Sequence, residues 1–545
     1  MSRAAAPASF NFADIWEMVA DAVGDREALV CGSQRRTYAQ LEEHANRLAN
    51  HLTSVGVGPG DHVALYLENC PEYLEAMLAC FKIRAVPVNV NYRYVANELR
   101  YLLDNSDSVG VLHAPKHESV VAEVLPDLPT KPWTLAIGED YDAALAAASP
   151  ARPPRGDRGD DDHYIIYTGG TTGLPKGVVW RHVDAFYACL GGGDPMRLFG
   201  EVTEPAELVE RIGDGNPIYF TMAPLMHVAA QWTAFMWFFL GAKVVLMEGS
   251  LDPERVWATA AAEKVHMITL IGDAVAKPLL DAWDAAPRGT WDVSSVYAIS
   301  NGGAPLSAGA KARIIDRFPN VIVNDGFGSS EAGIQGSSRV TAADAPGVSS
   351  AVRFDKGSKP LLVLDDDDRP VQPGSGVTGR IVTGGHLPLG YYNDPERTAA
   401  TFIEVDGSRW LITGDLARVA DDGTLDLLGR GSTSINTGGE KVHPEEVEGV
   451  LHAHPDVVDV LVVGVPDDRW GSAVTALVQP APGATLTLEE VTAHCKQHLA
   501  GYKVPKRLVL VDKVVRSPAG KADYRWALDA ALAPASEQSE PRTEL

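Results

Sequence analysis

Between residues 40 and 112, short apolar runs alternate with amphipathic helical patterns, and this alternation narrows the possible folds more than any other feature. Residues 40–54 carry Leu41, Ala45, Leu48 and Leu52 on one helical face. Val63-Ala64-Leu65-Tyr66-Leu67 then reads as a strand. Residues 71–82 place Leu74, Met77, Leu78 and Phe81 on one face, with Pro71 at a helix start. Residues 85–89 return to strand, Leu99, Leu102 and Leu103 mark another helix, and 109–112 another strand. Strands that alternate with helices pair through right-handed crossovers, so the expected fold is α/β with largely parallel sheets. A chain of 545 residues holds several such units, at roughly 150 residues per domain.

Tyr164-Ile165-Ile166-Tyr167 reads as a short buried strand and leads into Thr168-Gly169-Gly170-Thr171-Thr172-Gly173-Leu174-Pro175-Lys176-Gly177. Glycines let backbone N–H groups approach an anion, threonine hydroxyls add donors or reach a metal, and Lys176 adds charge. The stretch is suited to holding phosphates. It is not the common nucleotide loop, which ends Gly-Lys-Ser/Thr and opens a helix. The plain alternative is a Gly/Thr-rich turn after a strand.

Apolar content of 45% and charged content of 22% are those of a globular chain with a large core. A net charge of −25 argues against nucleic acid as a partner but leaves room for one local nucleotide site. Cys31, Cys70, Cys80, Cys189 and Cys495 show no CxxC spacing, which suits a reducing compartment and neither a disulfide framework nor zinc. Residues 1–10 lack the apolar core of a secretory signal, so a cytoplasmic chain is expected. The apolar stretch 222–246 is interrupted by His227, Gln231, Gly241 and Lys243, so no stable membrane span is expected.

Residues 147–162, rich in Pro, Arg, Gly and Asp, read as an exposed loop, and 191–216 as irregular. A sharper break falls at Leu428-Gly429-Arg430-Gly431-Ser432-Thr433. We expect a large N-terminal domain over 1–430, a small mobile α+β domain over 431–532 and a disordered tail over 533–545. In the small domain Pro444-Glu445-Glu446-Val447 opens a helix, 457–465 and 473–478 are strands, and 507–515 a last strand. Thr487-Leu488-Glu489-Glu490 is a capping box, with Leu488, Val491, Cys495 and Leu499 on one face.

The string 167–177 resembles the signature loop of the adenylate-forming superfamily of acyl-CoA synthetases, adenylation domains and luciferases, with Gly169 in place of the usual serine. Further motifs follow in the family's order. Asn301-Gly302-Gly303-Ala304-Pro305 resembles the loop along one adenine face, which implies adenine contacts from Gly303, Ala304 and Pro305. Asn324-Asp325-Gly326-Phe327-Gly328-Ser329-Ser330-Glu331 resembles the motif whose aromatic ring packs the other face and whose glutamate holds Mg²⁺. The resemblance also gives Thr171 to the metal, Asp415 and Arg430 to the ribose hydroxyls, and Gly328 to the acid as well as the nucleotide. Residues 429–448 resemble the interdomain hinge, with Thr433 at the pivot and Gly438 and Gly439 lining the channel for coenzyme A. Ser517-Pro518-Ala519-Gly520-Lys521 resembles the tail motif that carries the catalytic lysine, Lys521. Pro224-Leu225-Met226-His227 resembles the edge of the acyl pocket. His227 and Trp232 are its candidates, although aromatics at 232–238 also read as a buried helix face.

The resemblance implies a two-step acid–thiol ligase using ATP, Mg²⁺ and coenzyme A on a small-molecule carboxylic acid; a homodimer is compatible with it. One rival passes the acyl group to a carrier protein. Another is a non-catalytic ATP-binding sensor or interaction protein, against which Lys521, Glu331 and Asp415 stand together. Residues 272–280 and 434–441 are similar to those of bacterial ligases acting on long or bulky acids, steroid side-chain carboxylates among them.

Overall fold

The structure is a computed structural model. It describes residues 9–170, 173–304, 306–344, 353–356, 359–405, 407–430, 433, 435–437, 440–467, 471–499, 501–516 and 522–533. Its larger part is α/β, as the alternation at 40–112 implies, and a smaller sheet-and-helix unit lies toward the C-terminus.

Among the described residues four sheets form. The largest has a parallel centre: Glu27–Cys31, Lys243–Leu246, Ile218–Thr221, Met267–Leu270, Ala298–Asn301 and Ile322–Ser329 lie side by side. From Ile322–Ser329 outward it turns antiparallel through Gly333–Val340, Arg353–Lys356, Leu425–Arg430, Ser408–Val419, Gly379–Thr383 and Leu361–Leu364. The change of direction falls at the motif 324–331, so that motif sits where the sheet switches from helix-linked to hairpin-linked strands.

A second sheet is wholly parallel, in the order Val86–Asn89, His62–Tyr66, Ser108–His113, Trp133–Ala136. The helix before it, Tyr38–Ser54, starts at a Thr37/Gln40 capping box and buries Leu41, Ala45, Leu48 and Leu52 completely. A third sheet is a small antiparallel one, Gly390–Tyr391, Gly173–Arg181 and His163–Gly170. The expected phosphate loop is therefore the tip of a β-hairpin, with Tyr164, Ile165 and Ile166 buried in its first strand.

The apolar stretch 222–246 resolves into the helix Val228–Phe238 and the strand Lys243–Leu246, both within the core. Among the described residues no helix is long and apolar enough to cross a membrane. Residues 147–162 are largely the exposed loop expected of them, with Pro153 and Arg158 buried. Arg155 and Arg158 bind Asp14 and Glu17 on a helix that the sequence pattern did not reveal, Phe12–Val23. Arg158 is buried there, and its two-pronged contact with Glu17, with Lys82 adjacent, outweighs burial and holds that carboxyl at about 2.

The C-terminal unit is a sheet of Glu440–Val442, Ile435–Thr437, Gly471–Pro480 and Val457–Asp467, with Arg507–Leu510 added parallel to Gly471–Pro480. Two apolar clusters drawn only from residues 435–531 lie on it. The helix Leu488–Lys496 has its Thr487/Glu490 capping box, and Val491 and Cys495 are buried. Leu488, the first residue of this helix, is 38% exposed. The last strand ends at Leu510, five residues short of the expected end.

Candidate active site

The hairpin sets Thr168 opposite Lys176 and Gly170 opposite Gly173. Gly177 is required by close approach: a Cβ there would lie 2.7 Å from the Tyr167 ring. Thr171 and Thr172 lie outside the described residues, and of Gly169, Gly170 and Gly173 only the backbone is described. Lys176 reaches out of the small sheet to Glu331 in the turn after Ile322–Ser329, Nζ to Oε1 at 3.1 Å. A third group completes the cluster. The Tyr391 hydroxyl donates to Glu331 Oε1 at 3.1 Å and accepts from Lys176 Nζ at 3.2 Å. Burial, then the Glu331 carboxylate, pushes this hydroxyl well above the ordinary phenol range, so it remains a donor. Tyr391 was missed by motif reading; a lone tyrosine in a two-residue strand has no periodicity to betray it.

The Glu331 turn is fixed from behind. Trp180 Nε1 donates to Ser330 O at 3.0 Å, and Ser329 Oγ accepts from the Ala332 N–H at 3.1 Å. The Lys359 ammonium donates to Ala332 O at 2.9 Å and Ala188 O at 2.8 Å, and burial lowers its pKa to about 8. Gly328, opposite Ile334, lies so close to the facing strand that a Cβ on it would meet Gly333 O at 2.3 Å.

The two loops expected around adenine are joined by Asn301. Its amide donates to Ala304 O at 2.9 Å and to Asp325 Oδ1 at 2.8 Å, and its Oδ1 accepts from the Gly272 N–H at 2.7 Å. Asp325 is further engaged by Lys311 at 2.6 Å, and both side chains are buried. The backbone of Asp325, rather than its carboxylate, is thus what a nucleotide could meet. Asn324 Oδ1 is buried without a hydrogen-bond partner among the described residues, which is an acceptor awaiting a donor. Phe327 is half-buried and meets Phe354 with ring centroids 5.3 Å apart. Gly326 lies against Asn301 O. Around Gly302 the space is open, and Gly303 lies just within reach of Ile271. Pro305 lies outside the described residues.

Asp415 is buried and is the register partner of Arg430 on the adjacent strand. Thr433 lies between these strands and Ile435–Thr437 of the C-terminal sheet. Gly438, Gly439 and Lys521 lie outside the described residues.

Three amides pin the segment at His227. Asn89 donates to Tyr167 O at 2.8 Å and Met226 O at 2.7 Å, tying it to the hairpin strand. Asn69 accepts from the Leu225 N–H at 2.7 Å and donates to Met247 O at 2.9 Å. Gln231 donates to Leu225 O at 2.7 Å and Tyr73 Oη at 3.1 Å. His227 caps the helix Val228–Phe238 and is half-buried. Trp232 packs in the main core, with its Nε1 buried and unpartnered among the described residues. Beside this segment a cavity of about 640 Å³ separates the larger part from the C-terminal unit. Met222, Pro224 and Ile271 line one side; Arg93, Lys277, Lys513 and Arg516 are matched there by Glu68, Asp273, Asp281 and Asp459.

Among the described residues no three His, Cys, Asp or Glu come together as a metal cage. A single part-buried carboxylate, Glu331, beside a phosphate-seeking ammonium is nonetheless a donor set that suits Mg²⁺, which keeps waters and takes one or two carboxylates plus phosphates. The residues therefore fit a Mg·nucleotide.

The AMP-binding enzyme profile matches residues 16–392, and the profile for the AMP-binding enzyme C-terminal domain matches 446–521. The chain is 45% identical over 547 residues to a 3-oxocholest-4-en-26-oate–CoA ligase of Rhodococcus rhodochrous, covering 97% of each chain. It is 45% identical over 533 residues to a medium/long-chain-fatty-acid–CoA/3-oxocholest-4-en-26-oate–CoA ligase of Mycobacterium tuberculosis, covering 95% of this chain and 96% of that one. Its structure is similar to ATP-bound MatB of Rhodopseudomonas palustris, with a TM-score of 0.80 at 25% identity, covering 95% of this chain and 98% of that one.

Proposed function

The chain belongs to the AMP-binding enzyme family and is an AMP-forming acyl-CoA ligase; on that premise we propose which acids it takes and how its residues divide the work. Its acid is a steroid side-chain carboxylate or a medium- to long-chain fatty acid. The observation that carries this is 45% identity along nearly the whole chain to two ligases named for such acids.

In the first step a carboxylate oxygen bonds to the α-phosphorus of ATP as the bond to pyrophosphate breaks. The chain's part is to position and to neutralise charge. Lys176 and the hairpin tip hold the outer phosphates, and Glu331, with Thr171, holds Mg²⁺. The cation offsets charge on the phosphates. Phe327 and the loop at Gly303 enclose adenine, and the unpartnered Asn324 Oδ1 suits its exocyclic amine. Asp415 and Arg430, cross-strand partners, receive the ribose. Lys521 bridges the acid and the α-phosphate.

In the second step the thiol of coenzyme A attacks the acyl carbonyl, the C–O bond to AMP breaks, and the thiol proton goes to solvent. We take 1–430 and 431–532 as the two domains, pivoting at Thr433, with 533–545 as a tail and Gly438 and Gly439 along the channel. We assign the enzyme to the cytoplasm.

The test is incubation with ATP, Mg²⁺, coenzyme A and a panel containing 3-oxocholest-4-en-26-oate and fatty acids of graded length. Equimolar acyl-CoA, AMP and pyrophosphate are expected. Release of ADP, or pyrophosphate without thioester, would overturn the reading, and the latter would favour the carrier-protein rival.

A further inference from the structure

The cluster at the hairpin contains one group that the ligase reading leaves without a task. The Tyr391 hydroxyl lies between the Lys176 ammonium and the Glu331 carboxylate, and its two hydrogen bonds and the direct Lys176–Glu331 contact all fall within 3.1–3.2 Å. A phenol oxygen donates to a carboxylate and accepts from an ammonium at the same time, through a single atom.

Its position is imposed by the fold. Gly390–Tyr391 pairs with Val178 and Val179 on the strand that carries Lys176. The Tyr391 N–H donates to Thr398 Oγ1 at 2.9 Å, and that hydroxyl donates to Asp394 O at 2.8 Å. Lys176 Nζ stands 4.6 Å from the ring centroid, and the Arg397 guanidinium 5.9 Å from it. The carboxylate is held as firmly, on the turn fixed by Trp180 and Lys359. Two rigid mounts on different sheets therefore meet at one hydroxyl.

We propose that Tyr391 is a positioning residue of the phosphate and metal site, and this rests on the ligase reading above. With no nucleotide bound, the hydroxyl keeps Lys176 and Glu331 paired and oriented. When Mg·ATP enters, Lys176 leaves the carboxylate for a phosphate, while the tyrosine O–H keeps its hold on Glu331 and presents the carboxylate to the cation. The hydroxyl thus acts through Glu331, on the metal-dependent part of nucleotide binding alone.

The test is calorimetric titration of the full chain with AMP in EDTA, and with ATP across a Mg²⁺ series, for wild type, Y391F, E331Q and the double variant. A hydrogen bond to a charged group predicts that Y391F weakens Mg·ATP binding by about tenfold and raises the half-saturating Mg²⁺ concentration comparably. AMP binding should stay within about twofold, since the ring and its packing remain. In the E331Q background, Y391F should add no further loss. An unchanged Mg²⁺ dependence in Y391F, equal losses for AMP and Mg·ATP, or fully additive losses in the double variant would overturn the inference. Failure of the wild-type chain to bind AMP would instead overturn the nucleotide reading itself.

Discussion

Lys176 and Glu331, carried by different sheets, meet ammonium to carboxylate at 3.1 Å. Their meeting brings the hairpin tip and the turn at the end of the parallel centre into one site. It also fixes the cost of removing either partner, because each is part-buried and paired.

Lys176→Ala should lower kcat/KM for ATP by about 10–100-fold, the worth of one or two charge-assisted hydrogen bonds to phosphate. KM for the acid should stay within about twofold, since the segment at His227, the proposed edge of the acyl pocket, is held by Asn69, Asn89 and Gln231 instead. Steady-state kinetics with each substrate varied in turn checks this. Loss of acid affinity with intact ATP kinetics would contradict it.

Phe327→Ala should raise the ATP KM several-fold, as a stacking face worth about 0.5–1.5 kcal/mol is lost. It should also lower Tm, because the contact with Phe354 goes too. Phe327→Tyr should be tolerated on both counts. ATP titrations and thermal melts of the two variants separate stacking from packing.

The Lys311–Asp325 pair is buried, so removing only the lysine leaves a buried charge held, among the described residues, by Asn301. Lys311→Met should destabilise the chain by about 3–5 kcal/mol, and adding Asp325→Asn should restore most of that. AMP affinity should follow the same order, because Asn301 also holds the loop at Ala304. Denaturant melts and AMP titration of single and double variants give the comparison.

Glu448 is buried on the helix Pro444–Leu451, accepting from the Val462 N–H at 2.8 Å and the Tyr524 hydroxyl at 3.2 Å. Burial, then Glu445, pushes its carboxyl up to about 8, against an opposing pull from Arg516. The folded chain therefore holds a proton that the unfolded chain releases near 4.5, so stability falls as pH rises from 4.5 toward 8 and levels off above. Within that window the slope reaches about 1.4 kcal/mol per pH unit. Glu448→Gln should flatten the slope, gaining on wild type as pH rises; thermal melts from pH 5 to pH 9, or about two units either side of neutrality, follow from that window. Parallel wild-type and variant curves would contradict it.

Much of this was legible in the chain itself, for identifiable reasons. Repeating apolar positions such as Leu41, Ala45, Leu48 and Leu52 betray a buried helix face, and Thr487 with Glu490 betrays a helix start. Contacts between distant segments leave no such trace. Nothing local marks Arg158 as a partner of Glu17, or Lys311 of Asp325, so the one buried arginine of the exposed loop 147–162 went unseen and Asp325 looked available. Tyr391 carried no signal either. Its hold shows only in three dimensions, where Gly390, at φ +152°, lies so close to Thr398 that a Cβ would meet Cγ2 at 2.5 Å.

We propose a two-step ligase in which Lys521 serves adenylation and then withdraws. Its most direct test is single-turnover kinetics of each half-reaction in wild type and Lys521→Ala, with 3-oxocholest-4-en-26-oate or a long-chain acid. Adenylation should slow by at least the about 10²–10³-fold typical of one lost charge-stabilising donor. Supplied acyl-adenylate and coenzyme A should still give thioester at a near wild-type rate, and Lys521→Arg should not restore the first step, because a planar fork does not replace a compact ammonium. Equal damage to both steps, or full adenylation in the alanine variant, would contradict the account.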